Sequence, residues 1–229
     1  MPGKELRWVG SSKRDLMKMP GDVIDVFGFA LGEVQYGRTH PNAKPMTKGA
    51  LKAKGIYEVV EDGDGSTYRC VYTVKLADII DVLHCFQKKV EVRDQDAAGG
   101  HRFDQTAISG RAARCGSQSV RRWIMKVEIE RSSGNVYADL GYSDADEMKL
   151  KAGLARAIAR AIEDRGLTQT EAAKRMGLSQ PKVSGLLRGR FRGISVEKMM
   201  ECLQSLGLDV QITVGPAKHP EHAEILVVA

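Results

Sequence analysis

The sequence predicts an α+β protein of two small domains, a strand-rich domain followed by a mainly helical one. In the first part, apolar residues change from helical spacing to short strand-like runs, which gives the order β-α-α-β-β-β. After residue 125, short amphipathic helices follow one another, flanked by short strand candidates. A chain of 229 residues is also long enough to build two compact cores.

The strand-rich domain is predicted to occupy residues 1–89. Its main helix has apolar residues three and four positions apart, and the sequence Asp62-Gly-Asp-Gly65 is typical of a hairpin turn between two strands. We expect the helices to cover one face of an antiparallel sheet. The predicted elements are a strand start at 6–9, a helix capped by Ser11 or Ser12, a helix from 21 to about 36, and strands at 55–61, 67–75 and 78–87.

Residues 90–124 separate the two domains and show neither helical nor strand periodicity. They are rich in Arg, Gly, Ser and Ala. Such a composition is typical of a flexible linker. It is also what a shifted reading frame at a seam between two fused genes would produce, and both interpretations stay open.

The helical domain is predicted to occupy residues 125–215, with a tail at 216–229. Gly166 and Gly207 follow two of the helices and are typical helix-ending residues. The tail could add an edge strand at 225–228. The predicted elements are an alternating stretch at 125–131, a helix from 144 to about 165, short helices at 168–176, 179–188 and 195–206, and a strand at 209–214.

Composition excludes several classes of protein. The first 20 residues contain seven charged side chains, so no signal-peptide core is expected, and no apolar run approaches the length of a membrane span. Four scattered cysteines lack the spacing of a zinc site or a disulfide framework. We therefore expect a soluble, cytoplasmic protein without a metal, a cofactor or a membrane partner.

The strongest motif in the chain is at residues 168–188 and predicts two short helices joined by a tight turn. Ala172 and Ala173 are small enough for the helices to approach each other, and Gly177 can adopt the left-handed conformation of the turn. Ser179 can cap the second helix, and Pro181 lies in its first turn, where the missing N–H has no cost. This pattern favours a helix-turn-helix motif.

Charge around this motif predicts binding to DNA. Residues 165–192 contain seven basic residues and one acidic residue, although the whole chain carries only +6. The alternative is a helical bundle with a basic solvent-exposed face. The second helix presents candidates for base edges, and residues around it are candidates for phosphates. The candidate DNA-binding residues are Gln180, Lys182 and Ser184 for bases, Gln169, Thr170, Arg188, Arg190 and Arg192 for phosphates, and Ser179 at the start of the helix.

The motif resembles the Cro/repressor-type helix-turn-helix of the XRE family. More narrowly, residues 125–214 resemble a HigA-type antitoxin, with a short strand, a long helix, the motif and a further strand. This resemblance implies binding to double-stranded operator DNA as a homodimer.

Residues 5–89 resemble HigB-type toxins of the RelE/ParE superfamily, chiefly through the ending Leu83-His-Cys-Phe-Gln-Lys-Lys89. The resemblance implies metal-independent cleavage of mRNA on the ribosome. Cationic side chains would stabilise the charge that develops on the phosphate, and His84 or Tyr72 would move protons. Alternatively, His84 is a structural sheet residue and the two lysines solvate a strand end. The candidate cationic residues are Arg69, Lys88 and Lys89.

One departure from the toxin pattern bears on activity. Members of that family continue after the paired lysines with Thr-Pro and a helix, whereas this chain continues Val90-Glu-Val-Arg-Asp-Gln. We therefore expect a fused toxin–antitoxin protein that regulates its own operator, with a toxin half that is inactive or neutralised in cis. An active ribosome-dependent ribonuclease and an interaction scaffold without DNA binding are the alternatives.

Overall fold

The computed structural model describes residues 3–46, 55–74, 79–88 and 128–217, together with residues 225 and 227. The chain divides into two compact units. The strand-rich unit comprises Met1–Ile24 and Val34–Gly134, and the helical unit comprises Asp25–Glu33 and Asn135–Ala229. The predicted α+β class is confirmed, since strands dominate the first unit and helices the second. The predicted linker at 90–124 lies outside the described residues.

The strand-rich unit is built on one sheet with the strand order β2-β3-β4-β5-β1-β6. The predicted order of the first elements is confirmed, with the short strand β2 inside the expected loop. The elements are β1 Glu5–Val9, α1 Ser12–Leu16, α2 Gly21–Gln35, β2 Ala43–Pro45, β3 Ile56–Gly63, β4 Ser66–Thr73, β5 Ile79–Lys88 and β6 Ile129–Arg131, α2 being shared with the helical unit.

A two-residue turn joins β3 to β4. Gly63 pairs with Ser66, and the two residues between them have positive φ, 49° at Asp64 and 70° at Gly65. Such a turn matches the twist of the two strands. The hairpin predicted from the Asp-Gly repeat is therefore confirmed.

The expectation of a fully antiparallel sheet is wrong at one pair, because β1 runs parallel to β5, with Leu6 opposite Ile80. Hairpins impose antiparallel pairing only on strands that they join directly. β1 is followed by helices, and a helical connection allows a parallel neighbour. The strand β6 also differs from the prediction. Its residues were expected to open the helical domain, but β6 pairs with β1 and extends the sheet of the strand-rich unit.

The core of the helical unit contains Phe29 from the segment Asp25–Glu33 and buried residues from each of the described helices after residue 135. A short additional helix, which the sequence did not predict, begins after Asn135, whose side chain accepts a hydrogen bond from the Tyr137 amide. The longest helix supplies the largest share of this core. The elements are α3 Val136–Asp139, α4 Ala145–Asp164, α5 Gln169–Met176, α6 Gln180–Leu187 and α7 Val196–Ser205.

The strand predicted at 209–214 is absent. Two of its three alternating apolar residues are exposed, with 79% of Ile212 and 92% of Val214 accessible. A strand needs a neighbour for its backbone hydrogen bonds, and the described residues supply none to this segment. Ile225 and Val227 are likewise not in a strand. No helix in the described ranges has both the length and the apolar character to cross a bilayer.

Candidate nucleic-acid interface

The first helix of the motif, α5, begins with a capping box. The Thr168 hydroxyl accepts a hydrogen bond from the Glu171 amide, and the Glu171 carboxylate accepts one from the Thr168 amide at 2.8 Å. The hydrogen bonds that the carboxylate accepts from the Thr168 amide and hydroxyl lower the pKa of Glu171. The pair fixes where α5 begins and therefore where Gln169 and Thr170 lie.

The turn and the start of α6 have the predicted geometry. Gly177 ends α5 in the left-handed conformation, with φ of 63°, and Ser179 precedes α6 with Pro181 in the first turn. Ser179 occupies the cap position without making a side-chain capping hydrogen bond. The turn redirects the chain so that α6 crosses α5 rather than continuing it.

Small and branched apolar residues hold α5 and α6 together. Ala172, Ala173, Val183 and Leu186 are buried in the core of the helical unit, and Leu178 packs against it. Because these residues turn inward, the polar residues between them on α6 face solvent. The predicted packing of the motif is confirmed.

The exposed side of α6 carries the residues predicted to contact bases. Gln180 and Lys182 are exposed, and Ser184 is half-buried one turn further on. The Gln180 side-chain amide donates a hydrogen bond to Gln169 Oε1 at 2.9 Å. Gln169 at the start of α5 therefore orients the first residue of α6.

The residues predicted to contact phosphates differ in their surroundings. Thr170 and Arg190 are exposed. Arg188 is half-buried, and its Nε donates to the Ser184 carbonyl at 3.2 Å. The structure thus places Gln169, Thr170, Gln180, Lys182 and Arg190 at the surface of the motif.

Arg192 lies in the same loop but has carboxylate partners within the helical unit. Its Nε donates to Asp25 Oδ2 at 2.6 Å, its Nη2 to Asp25 Oδ1 at 3.0 Å, and its Nη1 to Asp144 Oδ2 at 3.2 Å. The guanidinium also lies 4.8 Å from the centre of the Tyr142 ring. The hydrogen bonds to Asp25 raise the pKa of Arg192.

Sequence reasoning missed Asp25 because its partner is 167 positions away along the chain. In the sequence, an aspartate among the apolar residues of a helix gives no sign that it is buried or that it has a partner. Its burial, with 2% of the residue accessible, is visible only in three dimensions.

A second group of predicted residues lies on the sheet of the strand-rich unit. The register places Arg69 opposite Phe86, and His84 and Lys88 are two residues away on either side of Phe86. Alternation along a strand therefore puts Arg69, His84 and Lys88 on one face. Lys88 is exposed, whereas Arg69 Nη1 donates to the Glu58 carboxylate at 2.5 Å.

His84 on this face stacks on the Phe86 ring, with centroids 5.0 Å apart. Burial lowers the pKa of His84, and the charge of Asp15 opposes this effect. The imidazole is therefore neutral at pH 7, the form that can accept a proton.

Tyr72 does not join the other candidates of the sheet. It pairs with Tyr57, one residue beyond Val71, so its side chain is on the opposite face from Arg69. Tyr72 is buried, and this burial raises the pKa of its hydroxyl. Lys89 lies outside the described residues.

Two protein-family models match separate parts of this chain. Residues 14–98 match the family of phage-derived Gp49-like proteins, and residues 136–215 match a helix-turn-helix domain family. A search among curated proteins found no match.

A solved structure of an XRE-family transcriptional regulator is 40% identical to this chain in sequence. The match covers 38% of this chain and 98% of the regulator, with a TM-score of 0.36. Nearly the whole of that relative is therefore matched by a part of this chain. Residues 136–215 therefore belong to a helix-turn-helix domain family, and they follow a Gp49-like region.

Proposed function

We propose that this protein is a DNA-binding transcriptional regulator of toxin–antitoxin origin that binds its own operator. The observation that carries the proposal is the exposed side of α6, where Gln180 is oriented by Gln169 beside Lys182. An α-helix with exposed polar residues near its N-terminus fits the major groove of B-form DNA.

The pairing of the two glutamines suits adenine recognition. Gln180 uses one amide N–H for Gln169. Its carbonyl oxygen and second N–H can then meet the N6 amino group and N7 of adenine, which present a donor and an acceptor in the major groove. Lys182, two residues further, can donate to guanine O6 or N7.

We further propose that the protein acts as a homodimer on a two-fold symmetric operator. A single motif of this kind reads only a few base pairs, and two motifs related by symmetry read two half-sites about one helical turn apart. The XRE resemblance supports this arrangement. Sedimentation equilibrium with and without operator DNA would test it.

For the Gp49-like region we propose a toxin-derived domain that is inactive or neutralised in cis. Arg69 supports this proposal, because the Glu58 carboxylate balances the positive charge that a scissile phosphate would need. The buried Tyr72 on the opposite face of the sheet also supports it.

Replacing Gln180 with alanine is expected to remove most of the preference for the operator over a duplex with a changed adenine. The expected loss of discrimination is about 1–3 kcal/mol at that base pair. Fluorescence anisotropy with both duplexes measures it. Unchanged discrimination in the variant would refute the assigned role of Gln180.

Arg190→Ala is the matched comparison for Gln180→Ala, because Arg190 is assigned to a phosphate. We expect it to weaken binding to every duplex by a similar factor. The slope of log K against log salt should become shallower by about 0.9. An effect confined to the operator would contradict this assignment.

A second candidate function is ribosome-dependent cleavage of mRNA, which the shared face of Arg69, His84 and Lys88 favours. If the protein cleaves mRNA on purified ribosomes, Lys88→Ala should reduce the rate by 10²-fold or more, roughly what a preorganised charge contributes. Lys174→Ala, which removes an exposed lysine of the helical unit, is the control. Absence of cleavage by the unchanged protein would remove this candidate.

A further inference from the structure

The segment Asp25–Glu33 of α2 lies within the Gp49-like match, but it packs in the helical unit beside the DNA-binding motif. Phe29 meets Phe191 edge to face, with ring centroids 5.4 Å apart, and both rings are buried. Glu33 at the end of the segment accepts a hydrogen bond from Arg156 Nε at 2.6 Å. Apolar packing at Phe29 and a partly buried ion pair at Glu33 therefore hold the segment in the helical unit.

The loop after α6 runs directly over this segment. A Cβ on Gly189 would lie 2.5 Å from Phe29 Cβ, so the two backbones approach closely. Arg190 and Arg192 leave the loop on either side of the buried Phe191. The position of the loop relative to the segment is consequently well defined.

Asp25 binds Arg192, the second of these two arginines. Its two carboxylate oxygens accept three hydrogen bonds, two from Arg192 and one from the Tyr142 hydroxyl at 3.0 Å. The Arg192 side chain is nevertheless 47% exposed, so it lies at the surface of the unit. Without the Asp25 carboxylate, the guanidinium of Arg192 would be available to a DNA phosphate.

We infer that Asp25 determines the role of Arg192 in DNA binding, by balancing its charge and holding its guanidinium on α2 rather than on a phosphate. The inference rests on the proposed DNA-binding function. It assigns to the Gp49-like region a direct influence on the affinity of the helix-turn-helix for DNA. Asp25 is thus a positioning residue, and it need not touch DNA.

The test uses the full chain and a random-sequence DNA duplex, because a phosphate contact requires no particular base. Asp25→Asn is expected to tighten binding at low salt and to steepen the slope of log K against log salt by about 0.9. This change corresponds to a further loss of roughly threefold in affinity between about 50 and 200 mM salt. Adding Arg192→Gln to Asp25→Asn should return the slope to that of the unchanged protein.

Two single variants keep the test decisive. Arg192→Gln alone is expected to leave the slope unchanged, and it can be measured even if Asp25→Asn does not fold. Asp22→Asn makes the same change of charge on an exposed residue one turn earlier on α2, and it should also leave the slope unchanged.

The outcomes separate this inference from the proposed function. If the unchanged, folded protein shows no salt-dependent binding to DNA, the proposed function fails and the inference fails with it. If the protein binds but Arg192→Gln alone makes the slope shallower by about 0.9, Arg192 already contacts a phosphate and only the inference is overturned. An equal effect of Asp22→Asn and Asp25→Asn would also overturn it, since net charge alone would then explain the change.

Discussion

Replacing Phe29 with alanine is expected to lower the free energy of unfolding of the helical unit by about 3–5 kcal/mol. Phe29 is 3% accessible and belongs to the same core cluster as Ile158 and Met176. Truncation removes the ring that contacts Phe191 and leaves a cavity that neighbouring side chains fill only in part. A residue near the start of the chain thus stabilises helices that begin more than 100 positions later.

Native-state hydrogen exchange measures this effect separately for each unit, because the most protected amides of a cooperative unit exchange through its unfolding. Amides of α4 and α7 should exchange faster in Phe29→Ala. Phe86→Ala, a truncation on the sheet of the strand-rich unit, is the control and should affect β4 and β5 instead. Unchanged protection of α4 and α7 in Phe29→Ala would show that α2 does not contribute to the helical core.

Gly189→Ala is expected to have the second largest effect. The residue has φ of 97°, which costs a residue with a side chain about 1–3 kcal/mol. The new methyl group would also lie 2.5 Å from Phe29 Cβ, and such overpacking costs about 1–3 kcal/mol more. Thermal unfolding followed by circular dichroism should therefore show a lower midpoint, and DNA binding should weaken because the loop carrying Arg190 moves.

Gly193→Ala provides the matched control for Gly189→Ala. Gly193 lies four residues later in the same loop, and a Cβ there would have no atom within 4 Å. Its backbone is not among those with positive φ. We expect a change of less than about 1 kcal/mol. If Gly189→Ala and Gly193→Ala destabilised the protein equally, the close contact with Phe29 would not explain the glycine at position 189.

The helix-turn-helix could be predicted from sequence because its determinants are local. Gly177 ends α5, Pro181 begins α6, and Ala172 and Val183 pack within a span of about twenty residues. Short-range spacing therefore specified the turn and the residues that pack inward. The remaining residues of α6 form its exposed side. The Asp64-Gly65 hairpin was predictable for the same reason.

Pairings between distant segments could not be predicted in the same way. The direction of β1 beside β5 depends on how the intervening helices return the chain, which no local pattern records. The segment 209–214 has the alternation of a strand, yet the described residues supply no neighbour for it. Strand residues acquire their hydrogen bonds from a partner, so propensity alone did not determine the outcome.

By itself, the sequence determined the α+β class, the helix-turn-helix and the residues that α6 exposes, because each depends on neighbours within one or two turns of helix or one hairpin. Only the tertiary structure decided which unit the middle of α2 joins and that Asp25 holds Arg192. The physical reason is that burial of a charged side chain requires a specific partner, and that partner lies far along the chain. The assignment of Arg192 to a phosphate therefore depended on information that only the three-dimensional arrangement contains.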